Sequence, residues 1–393
     1  MPVPLWTGSA QVFHPFAYRP APLPDELTSS WLTRLANGMR LSTFALLHRV
    51  WRNKTNLMSQ DIDGYCPPVI LRDLATGCNC SYDAAARTSL RTFVGSLCES
   101  MPVRGRKVWI LPTSVHSLER WHAGLQFCPT CLKHDAQPYF RRHWRLAFST
   151  ECLQHGLGLL DACPTCDAPV SSHRGLTLFL CDRCGTDLRF ASQMPSTPRA
   201  LKFQRHCTSV LAQGYSAQGE LTFQRSSSYF ALVRQIAKLL VSGPRSAAMR
   251  HATVAAWGGD EGEFAGRHRR APIEHLRIQD RRRLFDLTSR LLDGWPYKFV
   301  HSAREARLWK SFFLRDFEDG PYEAVGVASF FLDHDPYKPS EGEVRAAATW
   351  LRKSKGYASY ADLKALTGES RATLLQECDY LRKKRKECVL RLQ

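Results

Sequence analysis

The chain has 393 residues, is 44% hydrophobic and 23% charged, and carries a formal net charge of +18 at pH 7. That balance suits a soluble globular protein large enough for a real core and long enough for more than one domain. It excludes collagen-like, low-complexity and fully disordered chains, and no run of about 18 apolar residues is present to cross a membrane.

The N-terminal twenty residues lack a basic segment followed by an apolar one, so no secretory signal is expected and the expected compartment is the cytoplasm. The basic surplus favours polyanionic partners, nucleic acid first. It is uneven: residues 101–150, 201–250 and 351–393 are strongly positive, and residues 301–350 are net negative.

Residues 1–24, rich in proline and aromatics, read as an extended arm. Asp25 or Thr28 is placed to cap a helix through Asn37, with Leu27, Trp31, Leu32 and Leu35 on one face and Gly38 as its break. Ser42 is placed to cap a second helix carrying Phe44, Leu47, His48 and Trp51. Two short helices around a glycine-containing turn fit a helix-turn-helix. A second such unit is expected from Val69 to Ala75 and from Ser81 onward. Residues 25–110 are therefore read as a helical domain containing a helix-turn-helix.

Residues 101–127 read as short strand or extended chain, and the cysteine-rich block 111–195 as a tandem zinc-finger domain. Residues 191–215 look like a polar connector. Residues 226–241 and 273–294 read as amphipathic helices, the second stopped by Gly294-Trp295-Pro296, within a helical domain 196–335. After a linker, residues 341–354, 360–366 and 370–386 give three helical patterns. Residues 341–393 thus form a helix-turn-helix-like module with a basic tail. The expected fold is mainly α with small zinc-ribbon or finger β elements: an N-terminal helix-turn-helix, tandem zinc fingers and a C-terminal helical bundle.

Fourteen cysteines occur, and seven of them lie between residues 128 and 184. Cys128 and Cys131, Cys152 and His155, Cys163 and Cys166, and Cys181 and Cys184 are each separated by two residues. That spacing lets one tight turn aim two side chains at one ion, and two such pairs complete a tetrahedron. Eight ligands suit two ions. The simplest grouping is sequential, Cys128, Cys131, Cys152 and His155 for one and Cys163, Cys166, Cys181 and Cys184 for the other, with an interleaved grouping also open. Thiolates with one imidazole select zinc, and complete four-ligand sets point to structural rather than catalytic ions. His122, His134, His143 and His173 read as imidazoles outside the ligand sets. Cys66, Cys78, Cys80, Cys98, Cys207, Cys378 and Cys388 lack paired spacing and read as free thiols.

The run Phe127-Cys128-Pro129-Thr130-Cys131-Leu132, followed by Tyr139, Trp144, Cys152, His155-Gly156, Leu159-Leu160 and Cys163-Pro164-x-Cys166, resembles the TniQ family of bacterial transposition proteins, which includes the TnsD type. So does Pro24-Asp25-Glu26-Leu27-x-Ser29-x-Trp31-Leu32-x-Arg34. Trp295-Pro296 with Phe299 is similar to a further family feature. The resemblance spans about residues 15–300 and is specific at the double Cys/His block. It implies a non-catalytic protein that selects the target of a transposon. Such a protein recognises target DNA or sits on a CRISPR RNA-guided effector complex, and recruits an AAA+ ATPase that regulates the transposase. It also implies zinc at the eight paired positions and, by analogy, a homodimer. The chain's length is nearer to the shorter family members, which leans toward delegated target recognition.

The residues agree with a role without turnover. There is no Gly-rich phosphate loop, no H-E-x-x-H and no G-x-S-x-G. Asp316, Glu318, Asp319, Asp333 and Asp335 lie in a net-acidic stretch and read as a solvated face rather than as nuclease ligands. Basic clusters stand out at Arg104, Arg106 and Lys107, in the first Cys/His loop, at residues 267–270 and 281–283, and at the tail. Arg141, Arg142 and Arg145, and Arg382, Lys383, Lys384, Arg385 and Lys386, are the expected nucleic-acid contacts. Tyr139, Phe140 and Trp144 read as the small core beneath the first ion. The alternative function is a zinc-containing, sequence-specific transcription regulator that reads a palindrome as a dimer, and the remaining rival is a metal-dependent nuclease.

Overall fold

The computed structural model describes residues 15–51, 61–113, 124–174, 177–218, 221–262, 272–315, 317, 320–332, 339–367 and 378–379. Outside them lie the basic tail Arg382, Lys383, Lys384, Arg385 and Lys386, most of the helix expected at 370–386, the run 267–270, the acidic residues 316, 318, 319, 333 and 335, His122 and Cys388. The chain divides into two compact units, Met1–Leu332 and Asp333–Gln393.

The first unit begins with four helices, α1 (Thr28–Gly38), α2 (Thr43–Val50), α3 (Pro68–Gly77) and α4 (Tyr82–Ala86). Ser42 and Ser81 cap α2 and α4, their hydroxyls accepting from the N–H groups of Ala45 and Ala84. The cap of α1 is Leu27, without a side-chain bond. Asp25, expected as a cap, instead faces Arg142 and His143. Trp31, Leu35, Leu46, Leu47, Ile70 and Leu74 close these helices around one core, with Phe16 of the preceding arm. α4 is shorter than the sequence suggests, because Thr88 Oγ1 donates back to Ala85 O at 2.7 Å and Ser89 caps a 3-10 turn at Leu90–Phe93.

Among the described residues of 101–127 there is no strand, only the single bridges Ile110 to Leu146 and Phe127 to Leu160. The cysteine block follows, with α5 (Pro129–His134) and the two-residue strands β1 (Glu151–Cys152) and β2 (Leu157–Gly158) paired antiparallel.

Residues 191–215 are not a connector. They hold the sixteen-residue helix α6 (Pro198–Gln213), opened by Thr197 with Pro198 at its first turn and closed by Gly214 at φ 81°. Its buried face is only Phe203, Gln204, Cys207 and Val210, a stripe too thin to stand out in a polar sequence. The hairpin β3 (Ser216–Gln218) and β4 (Leu221–Phe223) leads into α7 (Ser226–Val241), which has the bounds its periodicity predicts. α8 (Ser246–Trp257) is an unexpected helix, since its buried positions are Met249, Ala252 and Thr253. Then come α9 (Ile278–Leu292), α10 (Tyr297–Glu305), α11 (Lys310–Phe313) and α12 (Tyr322–Phe331). Trp109 ties the pieces together. Its ring lies 5.8 Å from Phe148, 5.9 Å from Phe230 on α7 and 6.0 Å from Phe285 on α9.

The second unit holds α13 (Glu341–Lys355) and α14 (Tyr360–Thr367) around Val344, Ala348, Leu351, Ala358, Leu363 and Cys378. Ser340 and Glu343 form a reciprocal capping box, and Gly356 closes α13 at φ 81°. Asp379 accepts from Arg352 Nε and Ala358 N, each at 2.8 Å.

Candidate metal centres

Four side chains of the first cluster meet because two local turns face each other. Cys128 caps α5, and its sulfur accepts from Cys131 N at 3.4 Å, so one turn of helix presents both thiols. Cys152 ends β1, and His155 stands in the turn to β2, closed by Gly156 N donating to Cys152 O at 2.8 Å. Gly156 has φ 65°, a conformation that a side chain strains. His155 Nδ1 lies 3.6 Å from Cys128 Sγ and 3.4 Å from Cys131 Sγ and Cys152 Sγ. Cys131 and Cys152 sulfurs are 3.6 Å apart. The edges of a zinc tetrahedron with two kinds of ligand run to about 3.5–3.8 Å, given Zn–S near 2.3 Å and Zn–N near 2.0 Å.

Three thiols this close cannot all ionise without a cation. Hydrogen bonds from Cys131 and Cys152 hold the Cys128 thiol far below its usual range, and the bond to Cys128 drives the Cys131 thiol far above it. Gln193, which spacing alone does not single out, completes the surroundings. Its Nε2 lies 3.5 Å from Cys128 Sγ and 2.7 Å from Gly158 O, while its Oε1 accepts from Thr130 Oγ1 at 2.8 Å.

The second cluster brings Cys163, Cys166, Cys181 and Cys184 together, with sulfurs 3.6 Å apart for Cys163 and Cys184 and 3.7 Å for Cys166 and Cys181. It consists of two like turns. Asp167 N donates to Cys163 O and Gly185 N to Cys181 O, both at 2.9 Å, with Asp167 at φ 52° and Gly185 at φ 73°. Cys184 is exposed, and a bond to Thr186 brings its thiol down to about 6. Each set lies within 4.8 Å, so the grouping is sequential, and both sets suit a metal ion such as zinc.

The loop between the two ligand pairs of the first cluster sends charges into the interior. Arg145 is fully buried, with Nη1 3.1 Å from both Asp61 and Asp63 and Nη2 donating to Leu111 O at 2.8 Å. Lys107 Nζ adds an ion pair to Asp61 at 3.4 Å. Burial pushes Asp63 up to about 6 against the pull of Arg145. Arg141 is also buried, pairing with Asp135 at 2.8 Å and lying over the rings of Tyr139 and Trp144. Arg142 Nε meets Asp25 at 3.0 Å and its Nη1 donates to Thr92 at 2.6 Å.

Against the expectation that Arg141, Arg142 and Arg145 contact nucleic acid, Arg141 and Arg145 are buried, whereas Arg142 is only partly so. Desolvating a guanidinium is costly unless it is paired, and all three are held by carboxylates inside the protein, although Arg141 Nη1 is left without an acceptor. In the run 281–283, Arg281 and Arg282 turn inward, and Arg283 is exposed and pairs with Asp260 at 2.9 Å. Arg281 is buried and donates to Ala147 O and Gln126 Oε1, each at 2.8 Å, and Arg282 reaches Glu151 at 3.2 Å. Of the residues expected beneath the first ion, Phe140 and Trp144 belong to the core and Tyr139 is half-buried outside it.

Of the histidines expected outside the ligand sets, the three described ones belong to neither group of four. His143 pairs with Asp25, His173 bonds Ser171, and His134 packs its ring 5.9 Å from that of His155.

The N-terminal motif has a structural use throughout. Glu26 accepts from Arg34 Nε and Nη2 at 2.8 Å each, Ser29 N and Oγ both bond Asp63, and Trp31 Nε1 donates to Pro20 O at 2.7 Å. Leu27 N then donates to Phe140 O at 2.9 Å, which fastens α1 to the loop of the first cluster.

Residues 17–159 match the family model TniQ. The chain carries a TniQ domain. The match takes in α1 to α5, the buried arginine network and the whole first cluster, and ends before the second. No curated protein matches the chain. A TniQ domain supports a role in target selection for transposition. Among the described residues, no helix is long and apolar enough to cross a membrane.

Proposed function

We propose that this chain is a target-selection adaptor of a transposon. It engages target DNA or an RNA-guided effector complex and recruits the AAA+ ATPase that regulates the transposase, without a reaction of its own. The observation that carries this reading is the TniQ match, laid over a helical region and metal cluster joined by buried hydrogen bonds. The helix pairs α1–α2 and α3–α4 serve as helix-turn-helix surfaces, and the basic tail from Arg382 to Lys386 meets phosphate.

Two zinc ions belong to this reading, held by Cys128, Cys131, Cys152 and His155 and by Cys163, Cys166, Cys181 and Cys184. The ligand spacings fit tetrahedral thiolate–imidazole and thiolate sites, and each set of four leaves no open position, so the ions supply structure. Such an ion contributes about 10–16 kcal/mol that is also folding energy.

The test is directed integration in cells that carry the complete element. Removing this chain is expected to abolish insertion at the preferred target. Undiminished directed insertion without it overturns the proposal. So does tight binding of a palindromic operator by the purified chain alone, which marks a transcription regulator instead.

A further inference from the structure

Beside the first metal cluster lies a cleft of about 590 Å³. Its walls come from three parts of the chain: the 3-10 turn with Thr92 and Phe93, the loop with Arg142, Trp144 and Leu153, and α6 with Thr208, Leu211 and Ala212. The volume is that of a ligand pocket, large enough for one or two bulky side chains. Its rim is cationic. Arg87 is exposed and has no ion-pair partner among the described residues, and Arg142 stands close by. The lone carboxylate of the wall, Asp25, is already shared by Arg142 and His143. Two buried donors of lining residues, Arg141 Nη1 and Trp144 Nε1, have no acceptor. The cleft is apolar inside, positive at the edge and short of acceptors.

The geometry points to a peptide-docking groove that takes an acidic segment of a protein partner, with a large apolar side chain in the cleft and carboxylates against Arg87 and Arg142. An unpaired nucleic-acid base fits less well, because it needs an open ring face for stacking. The rings here are already covered. Arg141 lies 4.7 Å from the Trp144 ring and Arg142 lies 5.4 Å from the Phe93 ring. An apolar anchor with flanking carboxylates uses what is left: hydrophobic burial in the cleft and charge-assisted bonds at its edge.

The kind of partner rests on the adaptor reading, but the groove itself does not. Random dodecapeptides displayed on phage are selected on the full zinc-loaded chain, and the enriched sequence is synthesised with a fluorophore. The expected result is a motif of Leu, Phe or Trp flanked by Asp or Glu. Its binding should weaken by about tenfold or more in Ala212→Trp, which fills the cleft, and in Arg87→Glu, which reverses its rim. Both positions are exposed, and a circular-dichroism spectrum like that of the wild type confirms that each variant is folded. Three results overturn the inference: no enriched motif, a motif insensitive to both variants, or oligothymidylate binding that the same two variants abolish. Failure here leaves directed integration untouched, so it is distinguishable from failure of the adaptor reading.

Discussion

The two metal clusters use the same spacing of ligands and sit in different physical surroundings. The first has three buried cysteines, a glutamine against its sulfur, and a buried arginine network under its loop. The second keeps Cys163 and Cys181 buried, with Cys184 open to solvent and Cys166 half-buried. Its ties to the rest of the unit include the buried bonds of Leu125 N to Val170 O at 2.9 Å and of Ser172 Oγ to Ser29 Oγ at 3.1 Å, and the ion pair of Asp167 with Arg277 at 2.9 Å, exposed on both sides and worth about 0–1 kcal/mol. Both clusters reach the same core, the first through three buried cysteines and the second through two. Four-ligand sets with the same pair spacing, one with an imidazole and one without, need not contribute equally to the fold.

The largest expected effect separates them directly. Cys131→Ser should unfold much of the first unit, because the ion's contribution of about 10–16 kcal/mol exceeds or equals the whole stability of an ordinary domain, about 5–15 kcal/mol. Cys184→Ser should remove one ion and leave a cooperative melt. Zinc content by elemental analysis, with circular dichroism on both variants, checks the contrast. Equal damage from both would end it.

Arg145→Met comes next. It strands Asp61 and Asp63 in the interior and is expected to cost about 3–5 kcal/mol, read from urea unfolding of the metal-loaded protein. Arg277→Met, at the second cluster's exposed pair, should cost about 1 kcal/mol or less.

Gln193→Ala removes a donor from the Cys128 sulfur. Zinc should leave the first cluster about 10–100 times more readily in a chelator competition, with the second cluster unchanged.

A further effect is one of pH. The carboxyl of Asp63 is raised to about 6 in the folded protein. It adds stability that is full below the ordinary value of 3.8 and fades as pH rises through 6. Asp63→Asn lacks that loss, so its stability relative to the wild type should climb between pH 4 and 6 and then level. A flat difference across that range would mean that Arg145 keeps Asp63 ionised throughout.

Much of the candidate site was legible from residues 128–184, because a two-residue spacing is a local property that needs no knowledge of the fold. The helices α7 and α13 were legible for the same reason, since their apolar stripes and, in α13, its serine cap and glycine stop lie within one window. α6 and α8 were missed where the buried face is thin or built from small residues. Thr197-Pro198 and Gly214 were the available signals for α6. The cleft beside the first cluster had no sequence signature, because its three walls come from separate stretches of the chain, at residues 92–93, 142–153 and 208–212.

Arginines mark the limit most clearly. The order of residues alone determined eight metal-type ligands in four pairs, the helical character of most of the chain and a motif shared with a family. It also determined how much positive charge the chain carries. Whether a given charge faces solvent was decided only when the chain closed. Arg145 and Arg281 look in sequence like any surface arginine, yet each is buried because carboxylates or carbonyls distant in the chain converge on it. A guanidinium can leave water only where such partners assemble, and that assembly is a property of tertiary contacts.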